Sequence, residues 1–282
     1  MKIAVLGLGN MGLPVARNLA LAGHDVTGAN IVPVPAAEEA GVRVFTDANE
    51  ALVDREVVLC LLPDLPYLEP MLPALLESGA SDLVVMSTIS PLAVRELAER
   101  LDGRIAVVDA CMSGGVAKAT DGTMSIMCGG DESAFARVLP ILRVIGGSVE
   151  LMGPVGSGAV AKACNQMVVV GTLIALSEAT LVAKDNGLDA HRVLSVLGAG
   201  LAGSELLEQK KDKLADEDFS PSGPAKFLVK DLRFAKDSAN GRPLPVLDIG
   251  ETLFRGLTDA GLGDYDNTVV MRYLRILAGE ES

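Results

Sequence analysis

The 282-residue sequence contains no tryptophan, three tyrosines, two histidines and four cysteines. The cysteines lie far apart and include no C-x-x-C pair, which argues against a disulfide framework or a metal site and fits a reducing cytoplasm. We expect all four to be buried packing residues: Cys60, Cys111, Cys128 and Cys164. Neither His24 nor His191 has a neighbour typical of catalysis.

Positive charge is also scarce. The chain has 24 Lys and Arg residues against 37 Asp and Glu residues, a formal net charge of −13. This balance argues against nucleic acid or an anionic membrane surface as a partner. The longest apolar stretch, residues 167–176, ends at Ser177 and Glu178 and is too short to cross a bilayer, so it predicts a buried helix.

Several catalytic signatures are missing. Tyr67, Tyr265 and Tyr273 each lack a lysine four residues later, so the Tyr-Lys pair of short-chain dehydrogenases is absent. The chain also contains no G-x-S-x-G nucleophile motif and no metal-ligand cluster. If the protein is an oxidoreductase, another side chain must act as its acid or base.

A glycine motif stands at the start of the chain. The apolar run 1–6 leads into Gly7-Leu8-Gly9-Asn10-Met11-Gly12, and an amphipathic segment follows at 13–22. The order of strand, glycine turn and helix favours a dinucleotide site over a plain glycine-rich turn. Gly7 would allow the tight turn, Gly9 the approach of a pyrophosphate, and Gly12 close packing of helix on strand. Because the motif begins seven residues in, we expect no signal peptide and a cytoplasmic protein.

The rest of the first half alternates between strand and helix patterns. Strands are predicted at 3–6, 25–28, 57–61, 83–86 and 105–108, with helices such as 65–76 and 91–101, and then a strand–helix–strand unit at 124–128, 131–144 and 148–151. This alternation predicts an α/β fold with a doubly wound parallel sheet over residues 1–155. Residues 157–186 predict one long, largely buried helix. Beyond it, helical periodicity at 189–197, 203–215, 225–239, 243–260 and 266–278 predicts an all-α second domain, 156–282.

Lys162 is the candidate acid or base. Helical spacing places Lys162, Asn165 and Gln166 on one face of the long helix, among small and apolar residues. Partial burial would lower the pKa of this lysine towards the range of a general acid or base. A lysine that reaches out of an apolar helix to solvent explains the spacing equally well.

Other candidates follow predicted strands. After residue 108 come Asp109 and then Ser113-Gly114-Gly115, whose hydroxyl and backbone N–H groups could bind a carboxylate, although an ordinary glycine turn is also possible. Two further segments occupy strand ends that would face a cofactor: Leu62-Pro63-Asp64 and Ser87-Thr88-Ile89-Ser90-Pro91.

Together these segments resemble the β-hydroxyacid dehydrogenase family, which includes 3-hydroxyisobutyrate dehydrogenase and tartronate semialdehyde reductase. The resemblance runs from residue 7 to residue 232. Besides the glycine motif, it rests on 87–91, Asp109 with 113–115, Lys162-x-x-Asn165-Gln166, 200–204 and Lys230-Asp231-Leu232. It implies a Rossmann-type domain, a long interdomain helix and an all-α domain that often builds homodimers or homotetramers.

The resemblance also implies roles for individual residues. Lys162 becomes the catalytic acid/base, and Ser113, Gly114 and Gly115 become carboxylate binders. Asn165, Gln166 and Lys230 become substrate contacts, with Lys230 and Asp231 also near the nicotinamide. The implied cofactor contacts are Gly7, Leu8, Gly9, Asn10, Met11, Gly12, Asn30, Leu62, Pro63, Thr88, Lys230 and Asp231.

Three departures from the family pattern bear on specificity. Cys111-Met112 stands where Ala-Pro is frequent, and Ser222-Gly223 stands where Gly-Phe often follows a proline, which would reshape the substrate pocket. After the second strand, Asn30-Ile31 offers neither a carboxylate for the ribose hydroxyls nor an arginine for a 2′-phosphate. The cofactor is therefore NAD or NADP, with a slight preference for NAD, unless Arg43 reaches the phosphate.

The expected activity is reversible hydride transfer between NAD(P) and a short β-hydroxyacid. An imine reductase of the same architecture is the nearest alternative, although such enzymes commonly place another residue where Lys162 stands. A 6-phosphogluconate dehydrogenase is less expected because its C-terminal domain is considerably longer. A non-catalytic NAD(P)-binding module is the remaining alternative.

Overall fold

The computed structural model describes residues 1–280, which divide into two compact units, Met1–Lys162 and the chain from Ala163 onward. The first unit is a sheet of eight strands in the order β3-β2-β1-β4-β5-β6-β7-β8. The strands are β1 (Lys2–Leu6), β2 (Asp25–Ala29), β3 (Arg43–Phe45), β4 (Val57–Cys60), β5 (Asp82–Val85), β6 (Ala106–Ser113), β7 (Met124–Gly129) and β8 (Gly146–Gly153).

Seven α-helices connect these strands. They are α1 (Gly12–Leu21), α2 (Pro35–Glu38), α3 (Ala48–Ala51), α4 (Leu72–Glu77), α5 (Pro91–Leu101), α6 (Gly115–Asp121) and α7 (Glu132–Ile145). Alternate residues of each strand pack on opposite faces of the sheet. Ile3 and Val5 of β1 belong to a core with α1 and α7, whereas Ala4 and Leu6 belong to a core with α4 and α5. Helices therefore cover both faces, as the alternating pattern predicted.

One strand pair breaks the parallel arrangement. β6 pairs with β7 in antiparallel register from Asp109 with Gly129 to Ser113 with Ser125, and all other neighbours in the sheet are parallel. Only residues 114–123 connect β6 to β7. A parallel return needs a crossover of a dozen or more residues, so the short connection favours the antiparallel pair.

The predicted helix at 65–76 is wrong over its first half. The segment forms two short 3-10 turns, Leu65–Tyr67 and Glu69–Met71, before α4 begins at Leu72. Pro66, Pro70 and Pro73 each remove a backbone N–H donor, and 3-10 turns accommodate this better than a continuous α-helix does. The predicted strand list also omitted β3, a three-residue edge strand with no clear alternation.

The second unit is helical. Its elements are the remainder of α8 (Ser157–Asp185), α9 (Ala190–Ala199), α10 (Glu205–Asp216), α11 (Lys226–Asp237), α12 (Pro245–Asp259), a 3-10 turn (Asn267–Val269) and α13 (Val270–Ala278). Leu173, Leu232 and Phe254 lie in one core, and Leu194, Leu207 and Leu214 lie in a second. The five helices predicted after residue 186 are confirmed to within three residues at each end, once the 3-10 turn is counted with α13.

Helix α8 is long and apolar enough to cross a membrane by length and composition alone, with 44% of its most apolar 18-residue window buried. It is thus less buried than the sequence predicted. The apolar character of α8 is also interrupted by buried polar side chains: Lys162, Gln166, Ser177 and Thr180.

Candidate active site

The glycine motif forms a tight turn between β1 and α1. Gly7 has φ +93°, and a Cβ there would lie 2.8 Å from the carbonyl oxygen of Leu61. A Cβ at Gly12 would lie 1.8 Å from the carbonyl oxygen of Gly7, so the turn has no room for a side chain. A Cβ at Gly9 would meet no atom within 4 Å. The open backbone at Gly9, in front of the start of α1, fits the approach of a dinucleotide pyrophosphate.

Asn30, at the end of β2, fastens this turn to the sheet. Its Oδ1 accepts the backbone N–H of Leu8 at 3.2 Å, and its Nδ2 donates to the carbonyl of Val32 at 3.0 Å. Leu8 is itself buried against Gly28, where a Cβ would meet the leucine side chain at 2.7 Å. The oxygen and the nitrogen of the Asn30 amide thus both bond to the protein's own backbone. The sequence had suggested that this side chain binds a ribose hydroxyl of the cofactor.

Arg43 does not extend towards the carboxyl ends of the strands, where the glycine motif lies. Its Nη2 donates to Asp25 Oδ1 at 2.7 Å, at the amino end of β2. The cofactor motif lies beyond the carboxyl ends of the parallel strands, so the idea that Arg43 reaches a 2′-phosphate is not supported by its position.

The segments after β4 and β5 lie beside the glycine turn. Cys60 is in register with Leu6 of β1 and with Val85 of β5, so the carboxyl ends of these three strands lie side by side. Ser87 Oγ donates to the carbonyl of Leu62 at 2.6 Å and thereby joins the two following segments. Leu62 and Thr88 are half-buried, and Pro63 is exposed. The structure brings these sequence candidates together along the edge that carries Gly7.

The segment 109–115 is not a loop after a strand, as the sequence predicted. β6 continues through Ser113, because residues 109–113 pair with β7. Gly114 and Gly115 follow with φ +129° and +74°, a backbone that only glycine adopts readily, and Gly115 begins α6. Ser113 and the two glycines therefore stand together at a strand end.

Lys162 lies in the second turn of α8 and is 8% exposed. The sequence supported partial burial and a lysine that reaches out to solvent equally, and the structure shows burial. Asp109 has a role that the sequence did not reveal. It is wholly buried, and its two carboxylate oxygens accept the backbone N–H groups of Gly156 and Ala159, each at 2.7 Å. The sequence had marked Asp109 only by its place after a predicted strand and by its part in the family resemblance.

In the second unit, a chain of side chains links α8 to α11. Asn165 Nδ2 donates to Gln166 Oε1 at 3.0 Å, and Gln166 Nε2 donates to Asp231 Oδ2 at 2.7 Å. Lys230 Nζ lies 3.4 Å from Asp231 Oδ1 and 5.6 Å from the centre of the Phe234 ring. Gln166 and Asp231 are both buried, and the amide satisfies one oxygen of the carboxylate, Oδ2.

The Ser222-Gly223 departure lies in a polar network around Asp266. Ser222 Oγ donates to Asp266 Oδ2, and the Gly223 N–H donates to the same oxygen at 3.1 Å. Lys210 Nζ donates to Asp266 Oδ2 at 2.7 Å and to Ser222 Oγ at 3.2 Å. Burial raises the pKa of Asp266, but the bonds from Lys210 and Ser222 and the lysine charge outweigh burial and hold it below its usual value.

The four cysteines differ in their burial. Cys60, Cys111 and Cys128 are buried as predicted, and burial raises the pKa of the Cys60 thiol to about 11. The prediction is wrong for Cys164, which is exposed on α8. Among residues 1–280, no group of three or more His, Cys, Asp or Glu side chains is arranged to hold a metal ion.

Comparisons with known proteins agree with this geometry. Residues 2–153 match the family model of the NAD binding domain of 6-phosphogluconate dehydrogenase, and residues 156–274 match that of NAD-binding of NADP-dependent 3-hydroxyisobutyrate dehydrogenase. The chain is 33% identical to 2-hydroxy-3-oxopropionate reductase of Escherichia coli, with 100% of this chain and 99% of the relative covered. It is 30% identical to NAD-dependent L-serine dehydrogenase of Pseudomonas aeruginosa, with 96% and 97% covered.

A solved structure of Mycobacterium tuberculosis 3-hydroxyisobutyrate dehydrogenase with L-serine is 32% identical to this chain. It has a TM-score of 0.84 and covers 98% of this chain and 99% of its own. With both family models and these full-length relatives, the chain belongs to the β-hydroxyacid dehydrogenase family, NAD(P)-dependent oxidoreductases that act on CH–OH groups.

Proposed function

We propose that the protein interconverts a short β-hydroxyacid and its semialdehyde or keto acid, with Lys162 as the acid/base. The observation that carries the proposal is the burial of Lys162 on α8: the side chain is only 8% exposed and does not extend into solvent as a surface lysine does. The relative named 2-hydroxy-3-oxopropionate reductase, 33% identical to this chain, supports a substrate of about this size.

The bound nicotinamide supplies or accepts the hydride at C4. Lys162 takes the hydroxyl proton in the oxidative direction. In the reductive direction, protonated Lys162 stabilises the growing oxyanion and gives its proton to it. The side chain thus moves one proton in each direction, and the hydride and the proton together account for both hydrogens removed from the CH–OH group.

Residues at the end of β6 bind the substrate carboxylate in this proposal. Ser113 offers a hydroxyl, and Gly114 and Gly115 offer backbone N–H groups. Asn165, Gln166 and Lys230 are the further proposed contacts. Asp231 accepts from Gln166, and Gln166 in turn accepts from Asn165, so this chain of bonds fixes the orientation of both amides.

We propose NAD as the preferred cofactor. Arg43 pairs with Asp25 at the opposite edge of the sheet, and Asn30 bonds to Leu8 and Val32. A 2′-phosphate after β2 would therefore lack a local cation, and four carboxylates occur in residues 38–50, namely Glu38, Glu39, Asp47 and Glu50.

The test is Lys162→Ala, with Lys184→Ala in the last turn of the same helix as the control. We expect the first variant to bind NAD normally and to lose several orders of magnitude in kcat, while the control keeps its turnover. Cofactor binding is measured by fluorescence and turnover by nicotinamide absorbance. Near-normal turnover by Lys162→Ala would remove this lysine from the mechanism.

A screen of short hydroxyacids and semialdehydes with NAD and NADP separates the alternatives. Reduction of a cyclic imine in preference to a small semialdehyde would favour an imine reductase. Tight NAD(P) binding without turnover on any of these compounds would favour a non-catalytic module.

We also propose a cytoplasmic homodimer or homotetramer. Val168 and Val182 of α8 are 68% and 61% exposed and lie 14 residues apart, within about 40° of the same helical direction. Apolar side chains exposed along a long helix support its burial against a second copy of the chain rather than against water.

A further inference from the structure

Asp109 caps the N-terminus of α8, although it lies far from this helix in the sequence. Its Oδ1 accepts the N–H of Gly156 and its Oδ2 accepts the N–H of Ala159, the residue before α8 and the third residue of α8. The first N–H groups of a helix have no acceptor within it. They are usually satisfied by a side chain at the N-cap, whereas here the acceptor comes from a strand 47 residues earlier in the chain.

The surrounding backbone is shaped to admit this carboxylate. A Cβ at Gly129 would lie 2.5 Å from Asp109 Oδ1, and a Cβ at Gly158 would lie 2.8 Å from Asp109 Oδ2. The same Cβ at Gly158 would also lie 2.4 Å from the carbonyl oxygen of Met127. Two glycines on different elements therefore let α8 start directly against β6 and β7.

Arg95 of α5 holds the same segment from another direction. Its Nε donates to the carbonyl of Val155 at 3.2 Å, and a Cβ at Gly156 would lie 2.6 Å from that nitrogen. The start of α8 is thus attached to β6 through Asp109 and to α5 through Arg95. Both attachments lie within the first unit.

This attachment fixes the direction of Lys162. From Ala159 to Lys162, the helix rises about 4.5 Å and turns about 300°. A shift in the first turn of α8 would therefore move the lysine relative to β6, whose end carries Ser113. Misplacement of a reacting group by about 1 Å can cost about 10²-fold in rate.

The negative charge of Asp109 also lies at the N-terminus of α8. A helix N-terminus carries roughly half a positive charge, which opposes a nearby ammonium. Burial raises the pKa of Asp109, and the N–H groups of Gly156 and Ala159 limit that rise. Because both oxygens accept N–H donors, the bonding is that of an ionised carboxylate, and its negative charge opposes the positive end of the helix dipole.

We infer that Asp109 is the positioning residue for Lys162: its buried carboxylate sets the start of α8 and the field there, and so holds the lysine in its working place. The inference rests on the proposed function, in which Lys162 is the acid/base. Asp109 itself need not touch the substrate.

The test compares Asp109→Asn with Asp82→Asn. Asp82 is equally buried, lies on β5 and bonds to Arg137 at 2.7 and 3.0 Å, so its loss also costs stability but at a place without connection to α8. We expect Asp109→Asn to lower kcat about 10²-fold, with the Kd for NAD and the KM for hydroxyacid changed less than threefold. We expect Asp82→Asn to lower Tm comparably and leave kcat near that of the wild type.

The solvent deuterium isotope effect on kcat gives a readout that lost stability does not move. It should increase in Asp109→Asn, because proton transfer by a displaced lysine becomes slower, and stay unchanged in Asp82→Asn. Equal kcat losses in the two variants, or an unchanged isotope effect, would overturn the inference. If Asp109→Asn does not fold, Asp109→Ser keeps one acceptor, removes the charge and carries the same expectations.

A double variant distinguishes this inference from the proposed function. If Asp109 acts through Lys162, adding Asp109→Asn to Lys162→Ala should lower kcat less than twofold further. A further loss of about 10²-fold would mean that Asp109 acts independently of the lysine. Normal turnover by Lys162→Ala alone would instead refute the proposed acid/base.

Discussion

Gly9 and Gly12 stand three residues apart in the same turn, yet a methyl group would meet different surroundings at each. At Gly12 it would overlap the carbonyl oxygen of Gly7, whereas at Gly9 it would point into open space. We expect Gly12→Ala to destabilise the first unit by about 3 kcal/mol, because the turn must open. We expect Gly9→Ala to keep the wild-type Tm and to weaken NAD binding at least tenfold.

Thermal unfolding and fluorescence titration of the two variants check this expectation. A Gly9→Ala variant with unchanged NAD affinity would mean that the pyrophosphate does not approach the backbone at this glycine.

Asp266 and Asp264 give a similar pair in the second unit. Asp266 is wholly buried and bonds to Lys210, which is also largely buried, whereas Asp264 is 82% exposed and pairs with Lys226. Asp266→Asn leaves a buried ammonium without its counter-charge and should cost about 3–5 kcal/mol. Asp264→Asn should cost less than about 1 kcal/mol. Urea unfolding measures both, and equal losses would contradict the buried network.

The same carboxylate predicts a direction for the pH dependence. The folded-state pKa of Asp266 is below the ordinary value of 3.8, so the unfolded chain binds a proton more readily. Its contribution to stability is complete above pH 3.8 and is lost as the pH falls through the folded pKa. Between pH 5 and pH 2, the urea midpoint should therefore fall more steeply in the wild type than in Asp266→Asn.

Single residues also show what the sequence could not reveal. The small or apolar neighbours of Lys162 on the helix were compatible with its burial, but they explained a lysine that reaches out to solvent equally well. The exposure of Cys164, two residues later, was not predictable, because periodicity marks a face as apolar without saying what covers it. The bonds of Asp109 were equally hidden, since Gly156 and Ala159 lie more than forty residues away in the chain.

At the scale of elements, the end of β2 controls the cofactor prediction. Ile31 is 92% exposed, so a longer polar side chain fits there without disturbing the core. Ile31→Arg would place a guanidinium beside Asn30, and a guanidinium binds phosphate through two parallel hydrogen bonds. We expect kcat/KM for NADP to rise at least tenfold relative to that for NAD, with Ile31→Leu as the unchanged control. A wild-type preference for NADP over NAD would contradict the proposed cofactor.

Elements with strong local signals were predicted closely. The helix at 91–101 begins with Pro91 and agrees at both ends, and the long helix differs by one residue at its end. The extension of β6 through Ser113 was hidden, because its residues gain strand geometry only by pairing with β7. The three prolines between residues 65 and 76 should have argued against a continuous helix.

At the scale of the whole molecule, the exposed valines of α8 predict association. Val168→Glu would place a charge on the proposed contact surface and should shift the protein towards a smaller species at micromolar concentration. Val53→Glu, at an exposed valine of the first unit, should not. Light scattering after size exclusion measures both, and a wild-type monomer would refute the proposed oligomer.

The division of the chain into two units was predicted from the loss of strand patterns after residue 155, and the structure places the change to all-helical structure at α8. The compact units, however, divide after Lys162, within this 29-residue helix. Composition cannot locate such a point, because a helix that continues past it carries no change in pattern.

This position of the division matters for chimaeras built from two relatives. A junction at residues 154–156, where composition changes, would give the first turns of α8 to the second parent and make Asp109 of one parent cap the helix of another. With a junction after Lys162, the same parent contributes Asp109, Gly156, Ala159 and the lysine. The segment that must be exchanged as a block therefore ends inside a helix, and recombination at the loop that precedes it would separate the lysine from its support.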